Sequence, residues 1–156
     1  MKKISIIIVF VGALVCASCS SVSKLASNAS STTQPSAGTI QGTACGKVLG
    51  TMYTQYKSTG KVDMKNSSTL LSVTELSTHY SSLRNNKSNT TYLYSFAKGL
   101  VSGTNGLVNT SNSLSSVNSL LSLSSLSSIT STTPATSTAS TNVASGLTAL
   151  FNSWKK

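Results

Sequence analysis

The sequence predicts an all-α fold, a small bundle of about four to five helices that follows a leader and a polar tether. Two observations carry that prediction. Apolar residues recur at spacings of three and four in separate blocks, the period of one helical face, and Gly, Asn and Ser positions between the blocks are suited to stop one helix and cap the next. Two of the blocks also carry glycine at every fourth position, which keeps the glycines on one side of a helix.

The chain opens with Lys2 and Lys3, a twelve-residue apolar run from Ile4 to Val15, and then Cys16-Ala17-Ser18 before Cys19. A charged start, a short apolar middle and a small-residue exit make up a secretory signal. Apolar character lasts to Ser18, short of the roughly 20 residues that a bilayer-crossing helix needs. The cysteine at its end makes the segment resemble a bacterial lipoprotein signal, whose last four residues follow Leu-Ala/Ser-Gly/Ala-Cys. Ala17, Ser18 and Cys19 carry the match, and Cys16 stands where that family usually has an aliphatic residue. The resemblance implies cleavage before Cys19, a diacylglyceryl group on its sulfur and a fatty acid on its amine. One acyl chain anchors marginally and several anchor firmly, so the implied partner is a membrane reached without crossing it.

Cleavage would leave 138 of the 156 residues, enough for one small domain. Ten basic side chains then face Asp63 and Glu75, a side-chain balance of +8. The lysines are scattered singly except for Lys155-Lys156, so no basic run of the kind that tracks a phosphate backbone is present, and nucleic acid is not an expected partner. Cys16 leaves with the leader and Cys19 would be lipidated. Cys45 therefore has no intramolecular partner and is expected as a small core residue.

The organisation read from composition has five parts: a signal at 1–18, a tether at 19–36, a helical core at 37–108, a partly helical Ser/Thr-rich segment at 109–141, and an amphipathic helix at 142–156. The tether is Ser, Ala, Asn and Thr with one proline, and its flexible stretch from Ser20 to Ser36 has a mean reach of ~20–25 Å. A first helix is predicted over 37–58, where Ala44, Cys45, Val48, Leu49, Met52, Tyr53 and Tyr56 share an arc. Gly38, Gly42, Gly46 and Gly50 lie within that arc. Glycine inside a helix costs about 0.8–1 kcal/mol relative to alanine, so close approach of a neighbouring helix is the expected compensation.

Gly60 is the predicted stop and Asn66 or Ser67 the next cap. A second helix over 68–84 presents Val73, Leu76, Tyr80 and Leu83, with Glu75 and His79 on its outer side. The third, from Asn89 or Thr90, presents Leu93, Phe96, Ala97 and Leu100. Its Gly99 and Gly103 repeat the four-residue spacing and predict that it packs on the first helix.

From Asn109 to Asn142, 20 of 34 residues are Ser or Thr. Leu114, Val117, Leu120, Leu123, Leu126 and Ile129 recur there at a period of three, which walks around an α-helix and makes no lasting face. The expectation is a helix over 106–121 using Leu107, Leu114, Val117 and Leu121, then weaker structure and a mobile loop over 130–141. Asn142 is the predicted cap of the last helix, whose Val143, Leu147, Leu150, Phe151 and Trp154 share a face. That face suits docking on the bundle or, alternatively, lying on a membrane.

Catalytic ingredients are scarce. Asp63 and Glu75 are the only carboxylate side chains, twelve residues apart on different elements, so no acid–base pair is indicated. Gly99-Leu-Val-Ser-Gly103 misplaces the serine of a nucleophile elbow, and Gly42-Thr-Ala-Cys-Gly46-Lys47 lacks the ending of a phosphate loop. With one histidine and one usable cysteine, no metal site and no cofactor are expected. Together with the tract Gly46–Lys61, the leader and tether look like small lipoproteins abundant in gut Bacteroidota, a group with no reaction to carry over. Serines after Cys19 resemble an outer-membrane retention signal, and without an acidic run the periplasmic face is implied. The expectation is a non-enzymatic structural or interaction module, with an envelope protein or an anionic polymer as possible partner. Its alternative is a binder of anionic glycan or lipid headgroups through Lys47, Lys57, Lys61, Tyr53 and Tyr56.

Overall fold

The computed structural model describes residues 34–155. The predicted signal, Cys19 and nearly all of the tether lie outside the described residues. Ser36 caps the first helix by accepting a hydrogen bond from the Thr39 amide, and α1 then runs Ala37–Thr59. Gly60 ends it in the left-handed region at φ 72°, donating its N–H to Tyr56 at 2.8 Å. The remaining helices are α2 (Ser67–Asn85), α3 (Thr90–Gly103), α4 (Thr110–Leu121) and α5 (Thr138–Trp154), with a 3-10 turn at Ser124–Ser128. Five helices and no strand among the described residues make the predicted helical bundle.

The glycine pattern sets the central contact. A Cβ on Gly42 would overlap the Phe96 carbonyl oxygen, and one on Gly46 would lie 2.7 Å from that of Leu100. The arrangement is reciprocal: Cβ atoms on Gly99 and Gly103 would overlap the carbonyl oxygens of Thr39 and Thr43. Gly38 extends the row, its Cβ position lying 2.7 Å from the Tyr92 carbonyl oxygen. Positions along α1 meet rising positions along α3, so the two helices run parallel with backbone against backbone.

Gly50 departs from this pattern. Its Cβ would meet Thr104 Cα at 3.9 Å and Leu107 Cδ1 at 4.0 Å, which is ordinary contact. The chain turns away after Gly103, through Asn105 at φ 51° and Gly106 at φ 85°, so α3 ends before it reaches Gly50.

Helix α2 returns antiparallel to α1: Gln55 bonds Ser68 and Thr69 near one end, and Gln41 bonds His79 near the other. Val73, Leu76, Tyr80 and Leu83 are all buried as predicted. The C-terminal third differs from expectation in three places. Helix α4 starts at Thr110 behind an Asn109 cap, and it buries Ser113, Ser116, Val117 and Leu120. Leu107 and Leu114 stay 37% exposed, because the turn after α3 consumes residues 104–109 and rotates the buried face onto small hydroxyls.

The period-three row does form a face beyond α4. The 3-10 turn, with three residues per turn, spans Ser124–Ser128 and buries Leu126 at its centre, while Ile129, buried, and Leu123, partly covered, flank it as its caps. The segment expected as a loop is instead tied down and ends early. Thr130 donates its amide to Thr133 Oγ1 at 2.7 Å, and the fully buried Ser140 donates its hydroxyl to the Pro134 carbonyl at 2.8 Å. Ser137 caps α5, five residues before the expected Asn142.

The docking alternative holds for α5. Val143, Leu147, Leu150, Phe151 and Trp154 are all buried, so its apolar face is not free to lie on a membrane. Phe151 and Trp154 join Tyr53 and Tyr56 in a cluster with ring centroids 5.4–6.2 Å apart. Such pairs contribute about 0.5–1.5 kcal/mol each beyond area burial. Two of its polar tips are hydrogen-bonded: Trp154 Nε1 donates to Ser116 at 3.1 Å, and Tyr56 Oη donates to Asn152 at 2.6 Å. Residues 109–155 thus complete the same core as 37–108, and the unit beginning at Pro35 does not divide at the composition change.

The glycines generate a prediction with opposite signs in one helix. Backbone of the opposing helix occupies the place a Cβ on Gly42 or Gly103 would take, so Gly42→Ala or Gly103→Ala should cost about 3 kcal/mol or more, at the upper end for overpacking. Gly50→Ala should be neutral or stabilise by up to about 1 kcal/mol through helix propensity. Denaturant midpoints of the three variants check it; equal effects at Gly42 and Gly50 would contradict the packing described.

Candidate functional site

The residues proposed to bind a ligand do not converge. Tyr53 and Tyr56 are 6% and 2% exposed inside the aromatic cluster, so they offer no stacking surface to a glycan. Their position follows from the arc they share with Val48, Leu49 and Met52, the face that α5 covers. Lys47, Lys57 and Lys61 are exposed but separate. Lys57 lies in the last turn of α1, while Lys47 and Lys61 border different grooves.

The Lys47 groove, about 530 Å³, lies over Gly50 between α1 and the turn after α3, with Thr54, Thr104 and Leu107. The Lys61 groove, about 200 Å³, lies at the α1–α2 turn with Gln55, Asp63 and Asn66. Asp63 spends one carboxylate oxygen accepting the Lys65 amide at 3.0 Å. Glu75 is exposed on α2, so the two carboxylates stand on different elements. Among the described residues, no group of three His, Cys, Asp or Glu side chains could hold a metal ion.

The outer-side placement holds for Glu75 but not for His79. Because α2 runs antiparallel to α1, the ring turns toward Gln41, and Nδ1 lies 2.8 Å from Gln41 Oε1. An amide oxygen only accepts, so Nδ1 carries the proton. Nε2 is buried without a partner. Burial lowers the His79 pKa, opposed in part by the charge of Glu75. Two more polar groups are buried nearby: Tyr92 of α3, whose buried hydroxyl has no partner and whose pKa is raised by burial and by Cys45, and Cys45 of α1, whose thiol burial pushes far up. A thiol held protonated is a poor nucleophile, so Cys45 behaves as core.

A third groove has no counterpart among the sequence expectations. It runs between α3 and α4 for about 470 Å³, with Ala97 and Ser113 deep in it, Val101 partly covered, and Tyr94, Lys98 and Leu114 exposed at its rim. Small side chains where two helices face each other leave the volume. The sequence carries a signal for it in Tyr94, an aromatic residue off the predicted core face, but only the antiparallel return of α4 places Leu114 opposite.

Comparison with known proteins finds no matching family, no matching curated protein and no matching solved structure. No helix among the described residues is long and apolar enough to cross a membrane.

His79 gives a pH dependence of known sign. A histidine in an unfolded chain titrates near 6.5, and its folded value lies lower, so the unfolded state takes up the proton first. Stability contributed by His79 is therefore complete above about pH 7 and lost as pH falls through about 6.5 toward the folded value. Chemical denaturation at stepped pH should show this decline in the wild type and a smaller one in His79→Gln. Parallel profiles would contradict the burial of Nε2.

Proposed function

We propose that the chain is a lipid-anchored helical module of the bacterial cell envelope, acting as a non-enzymatic structural or interaction element. The observation that carries the reading is the order Lys2-Lys3, apolar run, Ala17-Ser18-Cys19 in the sequence. It places a lipidated Cys19 fifteen residues before Gln34, where the described chain begins, and the outer membrane's periplasmic face is the proposed address. The body supports a binding or scaffolding role more readily than catalysis. Its two carboxylates stand apart, its buried thiol is held protonated, and its histidine is turned inward onto Gln41. The alternative of capturing anionic glycans or headgroups keeps Lys47, Lys57 and Lys61 but loses Tyr53 and Tyr56 to the core.

Intact-mass analysis of envelope-purified protein tests the anchor. The expected product begins at Cys19 and carries a diacylglyceryl and an acyl adduct, and Cys19→Ala should leave the membrane fraction. An unmodified Cys19 in the wild type would contradict the reading. Turnover abolished by Asp63→Asn or Glu75→Gln would overturn the non-enzymatic part.

A further inference from the structure

The groove between α3 and α4 shares no lining residue with the grooves beside Lys47 and Lys61. We propose that it binds an anionic single-chain amphiphile, with an acyl chain along Tyr94, Ala97, Val101 and Leu114 and its carboxylate at Lys98.

Size and lining favour a small ligand. At about 470 Å³ the groove falls within the range of small-molecule sites, roughly 300–1,000 Å³, which are mostly apolar with a few polar groups. Its apolar wall is the Tyr94 ring, Ala97, Val101 and Leu114, and its polar groups are hydroxyls such as Ser113 together with one ammonium. From Tyr94 to Val101 it follows α3 for two turns, about 10 Å, a length suited to an extended alkyl chain.

Charge selects the sign of the head group. Lys98 stands one turn from Tyr94 on the same side of α3, and no carboxylate lines the groove. The described residues hold eight basic side chains against Asp63 and Glu75, which lie on the α1–α2 turn and on α2. A second copy of so basic a chain would be repelled. A protein partner would also need a wider apolar platform, since specific interfaces bury roughly 1,200 Å² or more. Among the described residues, the other exposed large apolar side chains, Ile40, Leu71 and Leu107, lie on other elements, and Leu107 borders a different groove.

Titrating the full 156-residue chain with dodecanoate, read by calorimetry, tests the proposal against dodecyltrimethylammonium, which has the same chain and the opposite charge. Saturable dodecanoate binding is expected below its micellar concentration, with the cation weaker. Lys98→Glu should weaken dodecanoate by about tenfold, the scale of losing one surface charge contact and gaining a repulsive one. Tyr94→Asp with Leu114→Asp should abolish it. All three residues are exposed, so circular dichroism should show the fold retained. As a measurement independent of the variants, a photoreactive dodecanoate analogue should label residues 94–101 and 110–114 in the wild type. Absence of saturable binding, equal affinity for the cation, or labelling elsewhere would each overturn the proposal.

Discussion

The structure depends on two parallel helices that touch at the level of their backbones. Gly42 and Gly46 of α1 lie under the carbonyl oxygens of Phe96 and Leu100, while Gly99 and Gly103 of α3 lie under those of Thr39 and Thr43. Gly42, Gly46 and Gly99, inside their helices, together cost about 3 kcal/mol of helix propensity, so the contact they permit must return more than that. It does so through dispersion between closely apposed main chains, assisted by weak Cα–H contacts to carbonyl oxygens. No side chain can be added at these positions without separating the helices.

That constraint orders the rest of the bundle. With one side of α1 closed by α3, its apolar arc is left for α2 and α5, and Tyr53, Tyr56, Phe151 and Trp154 fill the space between α1 and α5. The end of α5 adds Lys155, whose ammonium lies 4.5 Å from the Tyr56 ring centroid in a cation–π contact. Helix α4 supplies the Ser116 hydroxyl that accepts from Trp154, which explains how a serine-rich helix can still face a core. The same use of small side chains at Ala97 and Ser113 leaves α3 and α4 incompletely packed, and the groove is the result.

The sequence is most legible where periodicity and backbone demand coincide. Helices α1 and α2 fall within a residue or two of their predicted bounds, α3 starts where predicted, and the pairing of α1 with α3 follows from glycine spacing alone. It is least legible where serine replaces leucine in the core. Ser113, Ser116 and Ser140 are buried through hydrogen bonds, and no hydropathy pattern marks them. The period-three row from Leu123 to Ile129 conflicts with the α-helical period but matches the 3-10 turn that forms there. Among the candidate ligand residues, Tyr53 and Tyr56 belong to the predicted core arc. Burial on that arc competes directly with a surface role, and the conflict is visible in the residue spacing itself. Gly50 looks equivalent to Gly42 and Gly46 because spacing along one helix does not say where its neighbour ends.

Native-state hydrogen exchange of the amides tests the central claim most directly. If backbone contact between α1 and α3 holds the fold together, amides of Gly42–Leu49 and Phe96–Leu100 should exchange only through global unfolding, with protection equal to the full unfolding free energy. Amides of α4 and the 3-10 turn should exchange through smaller openings. Earlier exchange along the α1–α3 contact than along α4 would contradict the account.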